Sequence, residues 1–287
     1  MSKVYCSIYN GIGNQLFGYA LGLYLSKKHK KELIIDLTKL NTINFLSKLG
    51  LKKDTMREFE LDKIGFTDYA VNFQMSEYTR KLKYLGKRNI LFADFRKSHK
   101  ELENVKAEMD IYCVGWGDFD IVKEVLPEMR EKFRPNFNLT KQFLEAKKII
   151  TEKNSVALHI RRTDFLDPKI GLSFNHICTD KYYENAIQFI KQKVENPYFI
   201  IFSDDIEYAK ENMDLENSYI VNRNTGYEDF YLMSLCRHFV LANSTYSFWG
   251  ALLNDSNDKK VCVPEYWYNA PLRKADFIPP EWIQIAI

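Results

Sequence analysis

The sequence predicts an α/β protein with parallel, doubly wound sheets. β-rich apolar runs alternate with longer segments of helical period, most regularly in the second half of the chain. Such alternation is typical of parallel strands joined by crossover helices. At 287 residues, 46% of them hydrophobic, the chain can bury one large core or two smaller ones, and its length favours two domains.

The first half of the chain has fewer clear elements. A predicted strand over residues 3–9 leads into a helix at about 14–29, and no pattern determines the region from 40 to 109. The remaining predicted elements are a strand at 32–36, a strand at 111–116, a helix at about 119–132 and, after Arg134 and Pro135, a helix over 140–154.

The second half alternates cleanly between strands and helices. Because ligands of doubly wound sheets bind beyond the carboxyl ends of the strands, the residues just after each strand are the candidates for a functional site. The predicted strands are 155–160, 198–203, 218–221, 239–242 and 260–264, and the predicted helices between them are 180–194, 205–213, 226–238 and 244–253.

Composition argues against several classes of protein. A formal net charge of +3 gives no long-range field for a nucleic-acid partner, while a local basic pocket for an acidic ligand stays open. The five cysteines form no Cys-x-x-Cys pair and no zinc-type spacing, and an odd number is unlike a secreted disulfide framework. The sequence lacks a signal-peptide core and any run of ~18 apolar residues. We therefore expect a cytoplasmic protein, with peripheral association at the inner membrane face left open.

The first predicted strand ends in the segment GIGNQLFGYA. Gly11 and Gly13 permit positive φ and a close approach of the backbone, and Asn14 and Gln15 would present amide donors at the start of a helix. Such a helix end attracts anionic or polyhydroxyl groups. A plain strand-to-helix turn capped by Asn14 is an equally good interpretation.

The segment HIRRTD follows the apolar strand SVALHI. A guanidinium group is always charged, and its planar fork matches phosphate and carboxylate oxygens. We expect Arg161 to face the ligand and bind a diphosphate, while Arg162 and Asp164 hold the loop or brace neighbouring groups. A surface Arg–Asp ion pair and a satisfied core histidine at His159 are the alternatives.

The segment FSDD ends the strand YFIIF. Ser203 and Asp204 could accept hydrogen bonds from ribose, base or sugar hydroxyls, as could Asp205. Serine and aspartate also cap helices, and for Asp205 we expect capping at least as strongly as binding.

A further strand exit carries Asn243, Ser244 and Thr245 at the start of a helix. Hydroxyl groups and free backbone N–H groups in this position suit a pyrophosphate. In the preceding helix, Asp229 is favoured by the helix dipole and could also reach the base or ribose of a nucleotide. For Tyr246, packing and ligand contact both stay open.

The segments GIGNQLFGYA, HIRRTD, FSDD and YLMSLCRHFVLANSTYSFWGA, in this order and spacing, resemble glycosyltransferase family 11, the α-1,2-fucosyltransferases, of bacterial type. PEYWYN and DFIPPEW are similar to the family's ending, so the resemblance covers nearly the whole chain, with 40–109 the least characteristic part. It implies a GT-B architecture, in which two Rossmann-like domains face each other across a cleft. Residues 1–150 would form the acceptor-side domain and 151–287 the donor-binding domain.

The resemblance also implies an inverting, metal-independent transfer of L-fucose from GDP-β-L-fucose to the 2-hydroxyl of a terminal galactose. The partners would be GDP-fucose and a galactose-terminated glycan or glycolipid-linked oligosaccharide, without a cofactor. Arg161 would neutralise the β-phosphate, and Asn14 would approach the donor from the other domain. The implied catalytic residues are Arg161, Asp164 and Asn14. The implied donor-binding residues are Gly13, His159, Arg161, Arg162, Ser203, Asp204, Asp229, Asn243, Ser244, Thr245, Tyr246 and Ser247.

Two points stay open within this interpretation. The base for the acceptor hydroxyl could be Asp164 or an acid from 40–109, or departure of GDP could make a strong base unnecessary. Asp118-Phe119-Asp120 has the Asp-x-Asp form of metal-dependent glycosyltransferases, but it lies in the presumed acceptor domain, so we expect it to cap the next helix.

Other functions explain less of the sequence. A glycoside hydrolase needs two facing carboxylates ~5–10 Å apart and leaves Arg161 without a role. A carbohydrate-binding module explains the aromatic residues but has no use for nucleotide-type strand exits. Among transferases, a GDP-L-galactose donor or another acceptor linkage is the main alternative.

Overall fold

The computed structural model describes residues 2–51, 56–72, 90–94, 105–116, 119–167, 171–213, 215–222, 224–269 and 271–287. The chain divides into two compact units, Met1–Phe133 and Arg134–Ile287. This division falls earlier than the boundary predicted between 150 and 151. The helix Lys141–Glu152 belongs to the second unit because its Phe143 packs on Phe137 and Tyr231 there, with ring centroids 5.4 and 6.2 Å apart.

The first unit is built on a parallel sheet of five described strands in the order β3-β2-β1-β5-β4. Its elements are β1 (Lys3–Ser7), α1 (Ile12–His29), β2 (Glu32–Asp36), α2 (Thr38–Lys48), a 3₁₀ turn (Leu61–Ile64), β3 (Ala70–Asn72), β4 (Ile90–Asp94), β5 (Asp110–Val114) and α3 (Phe119–Lys132).

Close packing of α1 on the first sheet explains two glycines of this helix. A Cβ at Gly22 would lie 2.7 Å from Leu33 Cδ1 and 3.0 Å from Cys6 Cβ, and one at Gly18 would lie 2.6 Å from Ile8 Cδ1. Neither Gly11 nor Gly13 uses the positive φ that glycine permits. Gly11 has φ −74° and Gly13 lies inside α1, because the left-handed residue of this turn is Asn10, at φ 63°.

The second unit is a doubly wound sheet in the order β13-β10-β9-β6-β7-β8, with every pair of neighbours parallel. From β6 the chain builds outward in one direction, and from β9 it builds outward in the other. The helices and strands are α4 (Lys141–Glu152), β6 (Ser155–Ile160), α5 (Thr163–Leu166), α6 (Asp180–Lys193), β7 (Tyr198–Ser203), α7 (Ile206–Asn212), β8 (Ser218–Ile220), α8 (Gly226–Ser234), β9 (His238–Val240), α9 (Thr245–Leu253), β10 (Val261–Pro264), an antiparallel pair β11 (Tyr268–Asn269) and β12 (Leu272–Arg273), and β13 (Ile283–Ile285).

The core of the second unit holds the two central strands and the loops that leave them. All six residues of β6 are buried, and helix α6 packs on the sheet through Tyr182 and Tyr183. The Tyr182 hydroxyl donates to the carbonyl of Leu241 at 2.5 Å, and that of Tyr183 donates to the carbonyl of His159 at 3.0 Å. The chain segments that follow β6 and β9 are thus both anchored to one helix through its buried tyrosines.

The predicted α/β class with parallel sheets is confirmed in both units. The helix predicted over 226–238 is shorter than expected because α8 ends at Ser234, where the Asn254 side chain donates to the carbonyls of Ser234 and Cys236. The sequence pattern missed α2 and the strands β3 and β4 in the region from 40 to 109. Among the described residues, no helix combines the length and apolar character needed to cross a membrane.

Replacing Gly22 with valine tests the packing of α1. The new side chain has no space against the backbone-fixed Cβ of Cys6, so we expect the free energy of unfolding to fall by about 1–3 kcal/mol. The matched change is Gly11→Ser, because a Cβ at Gly11 meets nothing within 4 Å and serine is a good helix cap. Calorimetric melting of the two variants measures the difference, and equal melting temperatures would contradict the packing argument.

Candidate functional site

The candidate site lies in the second unit, where the order of its strands reverses. Strands β6 and β9 are neighbours, and Leu158 pairs with Val240 in their register. Three residues further along each strand, Arg161 and Asn243 leave the sheet side by side. The crevice beyond such a reversal is where doubly wound sheets bind ligands.

Arg161 is held by two carboxylates. Its Nη2 lies 2.5 Å from Asp164 Oδ2 and its Nη1 lies 3.1 Å from Asp204 Oδ2. The side chain of Arg161 is 20% exposed, so the guanidinium is fixed near the surface of the crevice rather than solvated freely. A guanidinium has five N–H donors, and these two contacts engage one donor on each Nη nitrogen.

Arg162 points to a different set of partners. Its Nε lies 3.3 Å from Asp205 Oδ2, and its Cζ lies 3.5 Å from the centroid of the Tyr208 ring. Asp205 caps α7 by accepting the N–H of Tyr208 at 3.1 Å, which confirms the capping predicted for it. Arg162 therefore ties the exit of β6 to the start of α7.

Asp204 connects the exits of β6 and β7. Its carboxylate accepts the N–H of Arg162 at 2.9 Å, the N–H of Thr163 at 3.2 Å and the hydroxyl of Thr163 at 2.5 Å. With its contact to Arg161, this carboxylate organises the start of α5. The Ser203 side chain stabilises its own turn, since its hydroxyl donates to the carbonyl of Asp205 and accepts the N–H of Asp205, both at 3.0 Å.

His159 is a buried, neutral histidine at the end of β6. It is 4% exposed, and its ring stacks on Tyr246 with 5.4 Å between centroids. Burial, followed by the charge of Arg161, lowers the pKa of His159 to about 3. Its Nδ1 has no hydrogen-bond partner among the described residues, so this nitrogen is available to donate or accept a hydrogen bond.

Asn243 is committed to the protein interior. Its Nδ2 donates to the carbonyls of Phe174 and Trp267, both at 2.9 Å, and its Oδ1 lies 3.4 Å from Cys178 Sγ. These bonds join the loop after α5 and the loop after β10 to the exit of β9. The geometry assigns Asn243 to holding the crevice in shape.

Helix α9 begins at the crevice with Ser244 as its N-cap. The Ser244 hydroxyl accepts the N–H of Tyr246 at 3.4 Å, and Ser244 and Thr245 are both partly exposed. The first N–H groups of a helix have no intrahelical partner and favour anions. Ser247 is fully buried, and its hydroxyl donates to the carbonyls of Ala242 and Ser244. This hydroxyl therefore stabilises the turn that begins α9.

Asp229 lies in the first turn of α8. Burial raises the pKa of its carboxyl to about 7, and the neighbouring charge of Glu228 also raises it. The amide of Asn224 donates to Asp229 Oδ1 at 2.9 Å and opposes that rise. Glu228 closes a capping box with Thr225. Asp229 is therefore a partly buried carboxyl that can exchange a proton near neutral pH.

In the first unit, Asn14 lies in the first turn of α1 rather than at its cap. The cap is Gly11, without a side-chain hydrogen bond, so the interpretation of Asn14 as the cap is wrong. Asn14 Oδ1 is buried and has no hydrogen-bond partner among the described residues. Gln15 is not a free donor, since its amide binds the carbonyls of Asn10 and Glu58 at 2.9 and 2.7 Å.

Glu60 is a carboxyl that sequence reasoning missed. Burial raises its pKa to about 7, and a hydrogen bond with the N–H of Ile12 at the start of α1 opposes that rise. Its own N–H donates to Gln15 Oε1 at 3.0 Å. From the sequence, Glu60 was only one of several acids in 40–109 that could serve as the base, because no motif surrounds it.

The described residues contain no group of three or more His, Cys, Asp or Glu side chains that could hold a metal ion. Asp118 of the Asp-x-Asp segment lies outside the described residues, and Asp120 is in the first turn of α3.

Comparison with known proteins adds a family match. A family model described as Glycosyl transferase family 11 matches residues 118–286. The chain is 29% identical over 305 residues to an alpha-1,2-colitosyltransferase of Escherichia coli, with 99% of each chain covered. It is 24% identical over 176 residues to galactoside alpha-(1,2)-fucosyltransferase 1 of Ateles belzebuth, covering 55% of this chain and 48% of that protein.

A solved structure has a similar fold. Fucosyltransferase NodZ from Bradyrhizobium aligns with a TM-score of 0.54 and 11% identity, covering 88% of this chain and 94% of that one. With the parallel sheet of each unit, this likeness confirms the predicted GT-B fold class.

Replacing Asp204 with alanine tests its role in joining the exits of β6 and β7. The change leaves two backbone N–H groups and part of the Arg161 guanidinium without their acceptor, so we expect a loss of about 2–3 kcal/mol in the free energy of unfolding. Asp255→Ala, at an exposed position of the same unit, should change it by less than about 0.5 kcal/mol. If urea unfolding gave the same midpoint for both variants, Asp204 would not have this role.

Proposed function

Because the chain belongs to glycosyl transferase family 11, we propose that it transfers L-fucose from GDP-β-L-fucose to the 2-hydroxyl of a terminal galactose in a glycan. The observation that carries the proposal is the pairing of a fixed guanidinium with an open helix start at one strand reversal. Arg161 leaves β6 and Ser244 caps α9 next to it. This combination suits the diphosphate of a nucleotide sugar.

The names of two relatives support the reaction class. One relative is an alpha-1,2-colitosyltransferase and another is a galactoside alpha-(1,2)-fucosyltransferase, so both names specify a 1,2-linkage. The motifs that carry the resemblance lie in the second unit around the crevice, apart from the segment at the start of α1.

Charge development at the leaving group explains the choice of residues. Breaking the sugar–phosphate bond builds negative charge on GDP and positive character at the anomeric carbon. In the proposed mechanism, Arg161 and the first N–H groups of α9 neutralise that charge, and they are oriented before the substrate binds. One preorganised donor of this kind lowers the activation free energy by roughly 3–4 kcal/mol. An attack by the acceptor hydroxyl on the opposite face would invert the β-donor to an α-product.

Asp164 is better suited to positioning than to proton transfer. Its Oδ2 lies 2.5 Å from the Arg161 guanidinium, so this oxygen is already engaged in an ion pair with the group that it orients. We propose that Asp164 orients Arg161 for the β-phosphate. The unpaired Nδ1 of His159 and the titratable carboxyl of Asp229 are the groups best suited to the ribose and the base of the nucleotide.

GDP-colitose is a second candidate donor, because a relative that matches 99% of this chain is named an alpha-1,2-colitosyltransferase. Colitose is fucose without its 3-hydroxyl, so the two donors share the GDP group and differ at one position of the sugar. An enzyme that hydrogen-bonds the 3-hydroxyl rejects the deoxy sugar strongly, whereas an apolar contact there favours colitose.

Product analysis tests the proposed function. The protein is incubated with lactose and either GDP-fucose or GDP-colitose, and NMR determines the linkage and anomeric configuration of the product. We expect an α-1,2-fucosyl product, formed faster than the colitosyl product. Faster colitosyl transfer would support the second donor. Release of fucose from a fucosylated glycan without GDP-fucose would instead indicate a hydrolase, and no transfer to any galactose-terminated acceptor would contradict both.

Substitution of Arg161 tests the role of the guanidinium. We expect Arg161→Ala to lower kcat by about 100- to 1,000-fold, and Arg161→Lys to recover part of the loss because it keeps the charge without the fork. The matched control is Arg237→Ala, since Arg237 is exposed at the other end of β9. Initial rates with GDP-fucose measure the effect, and near-normal turnover of Arg161→Ala would remove it from the mechanism.

Treatment with a chelator tests whether arginine takes the place of a metal. Because the proposed charge neutralisation comes from Arg161 and α9, we expect EDTA to leave the transfer rate unchanged. Loss of activity in EDTA that is restored by Mn²⁺ or Mg²⁺ would contradict metal independence.

A further inference from the structure

The first unit has a strand reversal of its own. In its described sheet, β2 and β3 lie on one side of β1, and β5 and β4 lie on the other. Strands β1 and β5 are therefore the neighbours at which the strand order reverses, and Cys6 pairs with Cys113 in their register. Ligands of parallel sheets bind beyond the carboxyl ends of such a pair. The residues that leave β1 and β5 are thus candidates for a binding site made by the first unit's own side chains.

Trp116 follows β5 at this reversal as a partly exposed aromatic side chain. Gly115, just before it, has φ 106°, a conformation that glycine adopts readily. The indole of Trp116 stacks on the ring of Phe17 in α1, with 5.0 Å between centroids and 18° between planes. Because Phe17 is fully buried, this packing fixes the orientation of an indole that still meets solvent. An aromatic ring held in this way suits the apolar face of a sugar.

Glu60 brings a carboxylate to the start of the same helix. It accepts a hydrogen bond from the N–H of Ile12 in the first turn of α1, and its side chain is partly exposed. Gln15, which is fully buried, fixes the backbone there, since its Oε1 accepts the N–H of Glu60 at 3.0 Å and its Nε2 donates to the carbonyl of Glu58 at 2.7 Å. An ionised carboxylate has about four acceptor positions, so the bond from Ile12 leaves others for ligand hydroxyls.

Asn14 lies between these two side chains along α1. It is in the same first turn as Ile12, and Phe17 follows it by three residues, so Asn14 and Phe17 are neighbours on one face of the helix. Asn14 Oδ1 is buried and has no hydrogen-bond partner among the described residues. A buried acceptor without a donor is costly, and a ligand hydroxyl would supply the donor.

We propose that Trp116, Glu60 and Asn14 bind the terminal galactose of the acceptor glycan. The indole covers the apolar face of the sugar, and the carboxylate and amide oxygens accept its hydroxyl hydrogens. Galactose suits an aromatic ring better than glucose does, because its axial 4-hydroxyl leaves the neighbouring C–H bonds together on the opposite face. The identity of the sugar rests on the proposed function, in which galactose is the acceptor. In this proposal Asn14 contacts the acceptor, whereas the family resemblance implies a contact with the donor.

Iodide quenching of tryptophan fluorescence tests the proposal without any donor. Trp116 is the only tryptophan in Met1–Phe133. The other three, Trp249, Trp267 and Trp282, are 0%, 2% and 5% exposed, so iodide should quench mainly Trp116. We expect lactose to protect Trp116, and cellobiose, which ends in glucose, to need about ten-fold higher concentration for the same protection. Trp116→Phe should lose the quenchable emission. No protection by lactose, or equal protection by cellobiose, overturns the proposal.

Acceptor kinetics test the same side chains through the reaction. Trp116→Ala should raise KM for lactose by about ten-fold and Glu60→Gln by about five-fold, with KM for GDP-fucose unchanged. Trp116→Phe should recover most of the loss because it keeps an aromatic face. The matched controls are Tyr24→Ala, at another partly exposed aromatic residue of α1, and Glu58→Gln, at an exposed acid. Both controls should leave both constants unchanged.

The two experiments separate this inference from the proposed function. Protection by lactose needs no transfer, so it supports the site even if the enzyme uses another donor. Transfer to lactose with an unchanged KM for lactose in Trp116→Ala and Glu60→Gln overturns the inference and leaves the proposed function in place. Melting temperatures show whether each variant is folded. If Trp116→Ala is unfolded, the quenching of the wild-type protein still tests the site.

Discussion

The contact of the Arg161 guanidinium with Asp164 and Asp204 is the interaction on which the candidate site depends. A partly buried guanidinium without acceptors would be costly, and a fully solvated one would be poorly oriented. Here one carboxylate lies in the short helix α5 and the other directly follows the neighbouring strand β7, so the guanidinium is fixed by two elements at once. A cation fixed in this way meets a diphosphate with little reorganisation, which is what makes a preorganised charge effective in catalysis.

The strand order supplies the rest of the site. Because the chain builds outward from β6 and from β9 in opposite directions, a crevice opens between their exits, and the start of α9 lies at its edge. Tyr182 and Asn243 hold this edge through bonds to backbone carbonyls, so the helix start depends on buried side chains that are bonded within the protein. The site is thus a property of the fold that a few polar residues complete.

The sequence predicted the second unit well because its central strands are buried on both faces and read as continuous apolar runs, as β6 does. It identified the segments of the site, but not which of their residues are available to a ligand and which hold the turns in shape. Asn243 has the residue type of a ligand contact, and only its three interior partners reveal that it holds the turn. Gly11 does not use the positive φ that glycine permits, because Asn10 is the left-handed residue of that turn, and the glycines of α1 that packing requires are Gly18 and Gly22. Helix α2 escaped prediction because much of its surface is polar or exposed and only Thr38 and Leu40 are buried.

A crystal structure of the protein with GDP tests the central claim most directly. The account predicts that β-phosphate oxygens lie within hydrogen-bond distance of the Arg161 guanidinium and of the backbone N–H groups or hydroxyls at Ser244 and Thr245. It also predicts that the contacts of Arg161 with Asp164 and Asp204 persist in the complex. GDP bound away from the exits of β6 and β9, with Arg161 still paired only to its carboxylates, would contradict it.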